Sequence, residues 1–172
     1  MQRTRSARLG TLLAVGLFSV AGATQAHDVD AHLDGLAEVP SISTTATGKF
    51  SANIDETAGT ITYRLAYTGL EGEVRQAHIH FGQRRVNGGV MLWLCQTTFN
   101  PDPTGLAPTC PQSGPVTGTL TAANVVGPTG QGVDAGGFAD VVAAIRAGVA
   151  YANVHTTKFP SGEVRAQLND KE

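Results

Sequence analysis

The sequence lacks the short motifs that identify most hydrolases, nucleotide-binding proteins and zinc peptidases. There is no G-x-S-x-G, no C-x-x-C, no H-E-x-x-H and no glycine-rich phosphate loop. Charged residues make up only 15% of the chain, and adjacent basic residues are limited to Arg84-Arg85. These absences leave no candidate for a serine nucleophile, and they argue against nucleic acid or an anionic membrane surface as a partner.

Long apolar runs are also missing, except at residues 9–20. That run follows three basic residues, Arg3, Arg5 and Arg8, and it is followed by small residues ending at Ala26. This order predicts a secretory signal peptide over residues 1–26. The apolar run is too short for a bilayer, which needs about 20 residues. We expect cleavage after Ala26, with Ala23 as the alternative, and a secreted or periplasmic protein with no membrane insertion afterwards.

Cleavage after Ala26 leaves residues 27–172, a length typical of one domain. This part contains nine basic and 14 acidic residues, a formal net charge of −5. It also contains both cysteines, Cys95 and Cys110. In an oxidising compartment an even pair of cysteines predicts a disulfide. The alternative, a thiolate metal site, is disfavoured by export.

Glycine and proline divide the rest of the sequence into short segments, several of which alternate apolar and polar residues. The predicted strands are residues 48–54, 60–67, 73–81, 90–95, 115–121, 148–156 and 162–168. Between Gly137 and Gly148 the apolar residues recur at helical spacing instead. One short helix among so many strands predicts an all-β fold, an immunoglobulin-like or Greek-key antiparallel β-sandwich or barrel.

Polar side chains share one face of several predicted strands. His78 and His80 alternate with apolar residues, as do Asn153 and His155. Neutral imidazole is a common metal ligand that suits copper, zinc and nickel. The spacing therefore predicts a possible site formed by His78 and His80, with His155 as third ligand if its strand is a neighbour.

The histidines also have a simpler interpretation. A surface strand can carry histidine merely as a polar residue, or use it to hydrogen-bond Asn153 or Glu163 and fix a loop. Glu163 and Arg165 are two residues apart on one predicted strand face and could pair with each other. No spacing of carboxylates singles out a catalytic pair.

Four motifs follow one another in the sequence: Leu33-Asp34-Gly35 with Glu38-Val39-Pro40, Ala77-His78-Ile79-His80 with Gly82, residues 151–156, and residues 160–168. Together and in this order they resemble the CHRD domain, a module first noted in chordin and widespread in secreted bacterial proteins. The resemblance covers about residues 30–168 and implies an all-β, immunoglobulin-like fold. It implies little about function, because the activity of the family is not settled. Residues 100–111 and Arg84-Arg85 depart from the family pattern, which suggests local loop variation.

His78, His80 and His155 also look like part of the copper site of copper-zinc superoxide dismutases, which place a His-x-His pair on one strand. No histidine lies between His80 and His155, so the bridging ligand of those enzymes is missing. A fourth ligand could come from His32 or from His27, which cleavage after Ala26 would make the first residue, with a free amine.

These observations lead to two hypotheses. The first is a non-enzymatic secreted module that binds an unidentified extracellular protein or has a structural role. The second is a periplasmic copper-binding module with His78, His80 and His155 as ligands. If the bound copper kept an open coordination position, this module could also act as a superoxide-dismutase-like oxidoreductase. In the second case Asn153, Glu163 and Arg165 would orient or flank the ligands.

Overall fold

The computed structural model describes residues 27–169, so the predicted signal peptide lies outside the described residues. Eight strands and one α-helix account for most of the regular structure. They are β1 (His27–Asp34), β2 (Thr47–Asp55), β3 (Thr60–Thr68), β4 (Val74–Phe81), β5 (Gly89–Cys95), β6 (Gly114–Leu120), α1 (Phe138–Arg146), β7 (Ala150–Thr156) and β8 (Val164–Leu168). No helix within residues 27–169 combines the length and the apolar character needed to cross a membrane.

All eight strands form one antiparallel sheet in the order β5-β4-β7-β8-β1-β2-β3-β6. The sheet curls so that its two edge strands, β5 and β6, approach each other. The result is a nearly closed barrel, which confirms the prediction of an all-β fold with a single short helix.

Alternation of side chains fills the interior of the barrel. On β3, Ile61 and Leu65 point inward and are fully buried, whereas Thr62 and Arg64 point outward and are exposed. Inward-facing residues of the other strands, such as Phe50, complete one hydrophobic core. This is the period-two pattern that a sheet with one solvated face requires.

The outer face of β4, β7 and β8 is different, because it is also buried. Every residue of β7 is buried. Three irregular segments lie against this face, residues 35–44, 82–88 and 157–163, and we call them the covering loops. They contact one another as well: the Asn87 side-chain amide donates a hydrogen bond to the Val39 carbonyl at 2.9 Å. The covering loops thus create a second, polar interior outside the barrel.

The predicted disulfide between Cys95 and Cys110 is present and joins the end of β5 to the segment before β6. The loop it closes is irregular, as its prolines indicate. Within this loop the Asp102 carboxylate accepts hydrogen bonds from the backbone N–H groups of Thr104, Leu106 and Ala107. A disulfide of this kind indicates an oxidising compartment.

Candidate metal-binding site

Three histidines meet beneath the covering loops. His78 and His80 lie on β4, and His155 lies on the adjacent strand β7. Their exposed fractions are 2%, 7% and 6%. One ring nitrogen from each can be chosen so that all three lie within 4.8 Å of one another.

The sheet register explains why these residues converge. On the polar face, His78 is opposite Asn153, and His80 is opposite Tyr151. His155 is one pair further along, opposite Gln76. Because side chains two residues apart share a face, the three imidazoles form a triangle on neighbouring strands.

Backbone carbonyls fix the orientation of two rings. The Nδ1 atom of His80 lies 2.9 Å from the Gly88 carbonyl oxygen, and the Nδ1 atom of His155 lies 2.9 Å from that of Pro160. A carbonyl can only accept, so Nδ1 carries the hydrogen in both residues. When these rings are neutral, both Nε2 atoms therefore present a lone pair. This is the arrangement usually found for metal-binding histidines.

The third ring packs against the other two. The Nδ1 atom of His78 is 3.2 Å from the Nε2 atom of His155. Since the latter bears a lone pair, His78 donates from Nδ1, and its own Nε2 is also left with a lone pair. The Trp93 ring meets the His78 ring edge-on at 4.3 Å, and the Tyr151 ring stacks on the His80 ring at 4.7 Å.

Burial keeps all three imidazoles neutral. It lowers the pKa of His78 to about 2, and the neighbouring His155 and His80 contribute to the shift. It lowers the pKa of His80 to about 4, against the opposing effect of the hydrogen bond to Gly88. Burial also lowers the pKa of His155. At neutral pH the lone pairs are therefore free of protons.

Four buried side-chain atoms in residues 27–169 lack a hydrogen-bond partner, and all four belong to this region. They are His78 Nε2, His80 Nε2, Asn153 Oδ1 and Glu38 Oε1. Each is an electron-pair donor. Leaving such a group unpaired typically costs about 1–3 kcal/mol, so four together require an explanation.

Glu38 is the residue that sequence reasoning did not assign to the site. It belongs to a covering loop, is 4% exposed, and lies against Gly162 and the Asn153 amide. Burial raises the pKa of Glu38 to about 7, although the nearby Arg165 charge opposes the shift. The sequence signal for Glu38 was its place in the Glu38-Val39-Pro40 motif. This motif has no strand or helix periodicity, so the direction of the side chain could not be predicted.

Arg165 lies at one side of the cluster, and no carboxylate of residues 27–169 forms a salt bridge with it, although the charge of Glu38 acts on it. Its guanidinium covers the Tyr151 ring at 3.4 Å. It donates hydrogen bonds to Asn87 Oδ1 at 3.1 Å and to the carbonyls of Gln83 and Val86 at 3.3 and 2.9 Å. Arg165 thereby ties one covering loop to β8.

Glu163 does not pair with Arg165, in contrast to the expectation from their spacing. The predicted strand 162–168 begins only at Val164, because Gly162 has a φ of +130° and turns the chain. The Glu163 carboxylate accepts hydrogen bonds from Thr44 Oγ1 at 3.0 Å and Thr156 Oγ1 at 2.7 Å. Glu163 therefore stabilises the loops that cover the cluster.

His27 and His32, considered as sources of a fourth ligand, lie on β1. Two strands, β8 and β7, separate β1 from β4 in the sheet. The cluster found among residues 27–169 contains neither of them. The polar atoms nearest to completing the site are instead those of Glu38 and Asn153.

The motifs that resemble the CHRD domain all contribute to this region: β1 with the first covering loop, β4, β7, and the segment leading into β8. The CHRD domain family matches residues 29–168. No curated protein and no solved structure matches the chain. Since the family match spans most of the sequence, this chain belongs to the CHRD domain family.

Proposed function

We propose that this protein is a non-enzymatic exported module that binds one transition-metal ion through His78, His80 and His155. The observation that carries the proposal is the group of four unpaired buried atoms at a single place. All four carry lone pairs, and a cation can accept lone pairs from several neighbouring side chains at once. An ordered water could supply two hydrogens at most.

The distances are compatible with a compact coordination sphere. In a tetrahedral site with bonds of about 2.0–2.1 Å, ligand nitrogens are about 3.3 Å apart. The 3.2 Å contact between His78 Nδ1 and His155 Nε2 is a hydrogen bond, which the metal would replace. The full spread of 4.8 Å is wider, so binding would draw the rings together by small side-chain rotations.

Copper is the ion best suited to this donor set. The three candidate ligands are neutral imidazoles, and divalent copper binds nitrogen donors more tightly than the other first-row ions. Asn153 and Glu38 would complete or flank the coordination sphere. Zinc is the closest competitor, since it also accepts imidazole ligands.

Burial of the ring nitrogens favours binding over turnover. The Nε2 atoms of His78 and His80 are inaccessible to solvent, and a substrate would have to displace the covering loops to reach the ion. We therefore expect storage or a structural role, and no dismutase activity from the copper-loaded protein above that of its histidine variant.

The export part of the proposal is supported by two features. Residues 1–26 have the composition of a signal peptide, and the Cys95–Cys110 disulfide is typical of an oxidising compartment. The intact mass of the mature protein tests it. An N-terminus at His27 or Thr24 is expected, and a retained Met1 would contradict export.

Metal analysis tests the proposed site. The mature protein is loaded with copper or zinc, passed through a desalting column, and assayed for bound metal. We expect one equivalent of copper in the natural protein and in His32→Gln, which changes an exposed histidine of β1. His80→Gln should lose most of the metal. Failure of the natural protein to retain copper or zinc would disprove the site, and bound water would then account for the unpaired atoms.

A further inference from the structure

A separate cleft opens beside Arg165, between the covering loops 35–44 and 82–88. Its volume is about 470 Å³, and Arg165 and Gln167 of β8 are among its lining residues. Binding sites for small organic molecules typically have volumes of about 300–1,000 Å³. The cleft is therefore large enough for such a ligand.

The lining of the cleft is strongly positive, although the domain as a whole is acidic. Arg84, Arg85 and Arg165 all contribute to it, against a single acidic residue, Glu38. The positive charges thus outnumber the negative charges by at least two.

Arg165 supplies the least expected of these charges. Its side chain is 1% exposed, and its hydrogen bonds go to neutral oxygens of Asn87, Gln83 and Val86. Among residues 27–169 the carboxyl group of Glu38 acts on this charge from nearby, but no carboxylate forms a salt bridge with it. Buried charges are ordinarily paired, so the guanidinium is a built-in attraction for an anion.

Arg85 points to the same conclusion from the backbone. It has a φ of +67°, the only positive φ among the non-glycine residues of the described chain. Glycine or asparagine adopts this conformation at lower cost. Strained residues of this kind are concentrated at binding sites, and Arg85 lines the cleft.

The cleft also has apolar lining residues. They include Leu36, Val39 and Pro40, and the Leu36 side chain is 77% exposed. A lining that combines apolar side chains with guanidinium groups suits a ligand with an anionic head and a hydrocarbon body. Arginine binds both carboxylate and phosphate oxygens in a bidentate manner.

We propose that this cleft is a binding site for a small organic anion, a carboxylate or phosphate group attached to an apolar body. The site does not depend on the proposed metal. Arg165 touches Tyr151, which in turn stacks on His80, and Glu38 lines the cleft beside the histidine cluster. The two sites are therefore neighbours that share Glu38.

Calorimetric titration of the metal-free mature protein tests this proposal at low ionic strength. The probes are phenyl phosphate, benzoate, inorganic phosphate and the neutral analogue benzamide. We expect a Kd at or below about 1 mM for at least one of the two aromatic anions. The tighter of these two identifies the preferred head group. Inorganic phosphate and benzamide should each bind at least about tenfold more weakly.

Two variants make the test specific. Arg85→Gly removes the guanidinium and also relieves the positive-φ strain, so a loss of binding cannot be attributed to unfolding. We expect Arg84→Ser combined with Arg85→Gly to weaken binding by about tenfold or more. Arg64→Ser, which removes an exposed arginine from β3, should bind as the natural protein does.

Three results would overturn the proposal. The first is no detectable binding of either aromatic anion, and the second is equal binding by the double variant. The third is equal binding of benzamide, which would show that charge plays no part. If inorganic phosphate bound as tightly as phenyl phosphate, the proposal that the ligand has an apolar body would be disproved.

Discussion

The three buried histidines are neutral in the folded protein, and this affects stability as well as ligand binding. In the unfolded chain a histidine titrates near pH 6.5. In the folded chain burial lowers the pKa of His80 to about 4 and that of His78 to about 2. Between these pH values the unfolded state binds protons that the folded state does not bind.

Stability of the metal-free protein should therefore be lost as the pH falls below 6.5. The histidine contribution is complete above pH 6.5, and for His80 alone the loss amounts to about 3 kcal/mol by the time the pH has fallen to about 4. Urea unfolding at a series of pH values measures it. His80→Gln should show a smaller acid loss than the natural protein. Stability that is constant over this range would contradict the neutral, buried cluster.

Glu38 changes the pH dependence of stability in the opposite direction, over an overlapping pH range. Its pKa is raised to about 7 in the folded state, so its contribution is present below about pH 4.5 and is lost as the pH rises to about 7. Glu38→Gln keeps the size of the side chain and removes this titration. We expect this variant to gain stability relative to the natural protein as the pH rises through that range, in the same urea experiment.

At this scale the sequence predicted the candidate ligands and the neighbouring Asn153, but not the loop residue buried beside them. Period-two alternation was sufficient to place His78 and His80 on one face. It could not reveal that Glu38, which lies 40 residues away from His78 in an irregular loop, is buried beside Asn153. Loop conformation depends on tertiary contacts that no local pattern encodes.

Among the structural elements, the covering loops depend on one carboxylate. Glu163 is fully buried and receives hydrogen bonds from Thr44, from the Glu71 backbone N–H and from Thr156. These groups belong to three different segments of the chain. Glu163 therefore joins a covering loop, the β3–β4 turn and the end of β7.

Replacing Glu163 should loosen all three segments. Hydrogen bonds to charged groups contribute about 1.5–3 kcal/mol each, so we expect Glu163→Ala to lower the free energy of unfolding by about 3 kcal/mol or more. The matched control is Glu73→Ala, an exposed carboxylate nearby. Urea unfolding compares the two, and equal losses would show that the Glu163 contacts contribute nothing specific.

The sequence identified seven of the eight strands; it missed β1 (His27–Asp34) and misplaced the start of the last strand. The predicted helix between Gly137 and Gly148 is present as α1. The last strand was predicted to start at Gly162, because Glu163 and Arg165 fit the alternation. A positive φ at Gly162 delays the start of the strand. Glu163 and Arg165 are two positions apart in the sequence, but their side chains therefore contact different partners.

In the whole molecule, β1 occupies a central position. It pairs with β2 along its length and meets β8 through the pairing of Asp34 with Arg165. Its inward residues Val29 and Leu33 are buried in the core. Strand order of this kind could not be predicted from the sequence, since it arises from pairings between distant segments.

Two truncations test the domain boundary. Residues 27–172 should fold alone and unfold cooperatively, because every described strand is retained. Residues 35–172 should not fold, since removal of β1 separates β8 from β2 and exposes the core. Near-ultraviolet circular dichroism distinguishes the outcomes. A folded 35–172 fragment would contradict the central role of β1.

The pairing of β1 with β8 has a further consequence for biogenesis. The first strand of the barrel cannot find one of its two neighbours until nearly the last residues of the chain have emerged. A nascent polypeptide of this topology stays incomplete throughout vectorial synthesis, and an unfinished chain is the form that can be threaded through a narrow translocation pore. For a protein exported as we propose, the barrel would close only on the far side of the membrane, where the disulfide and the metal site can also form.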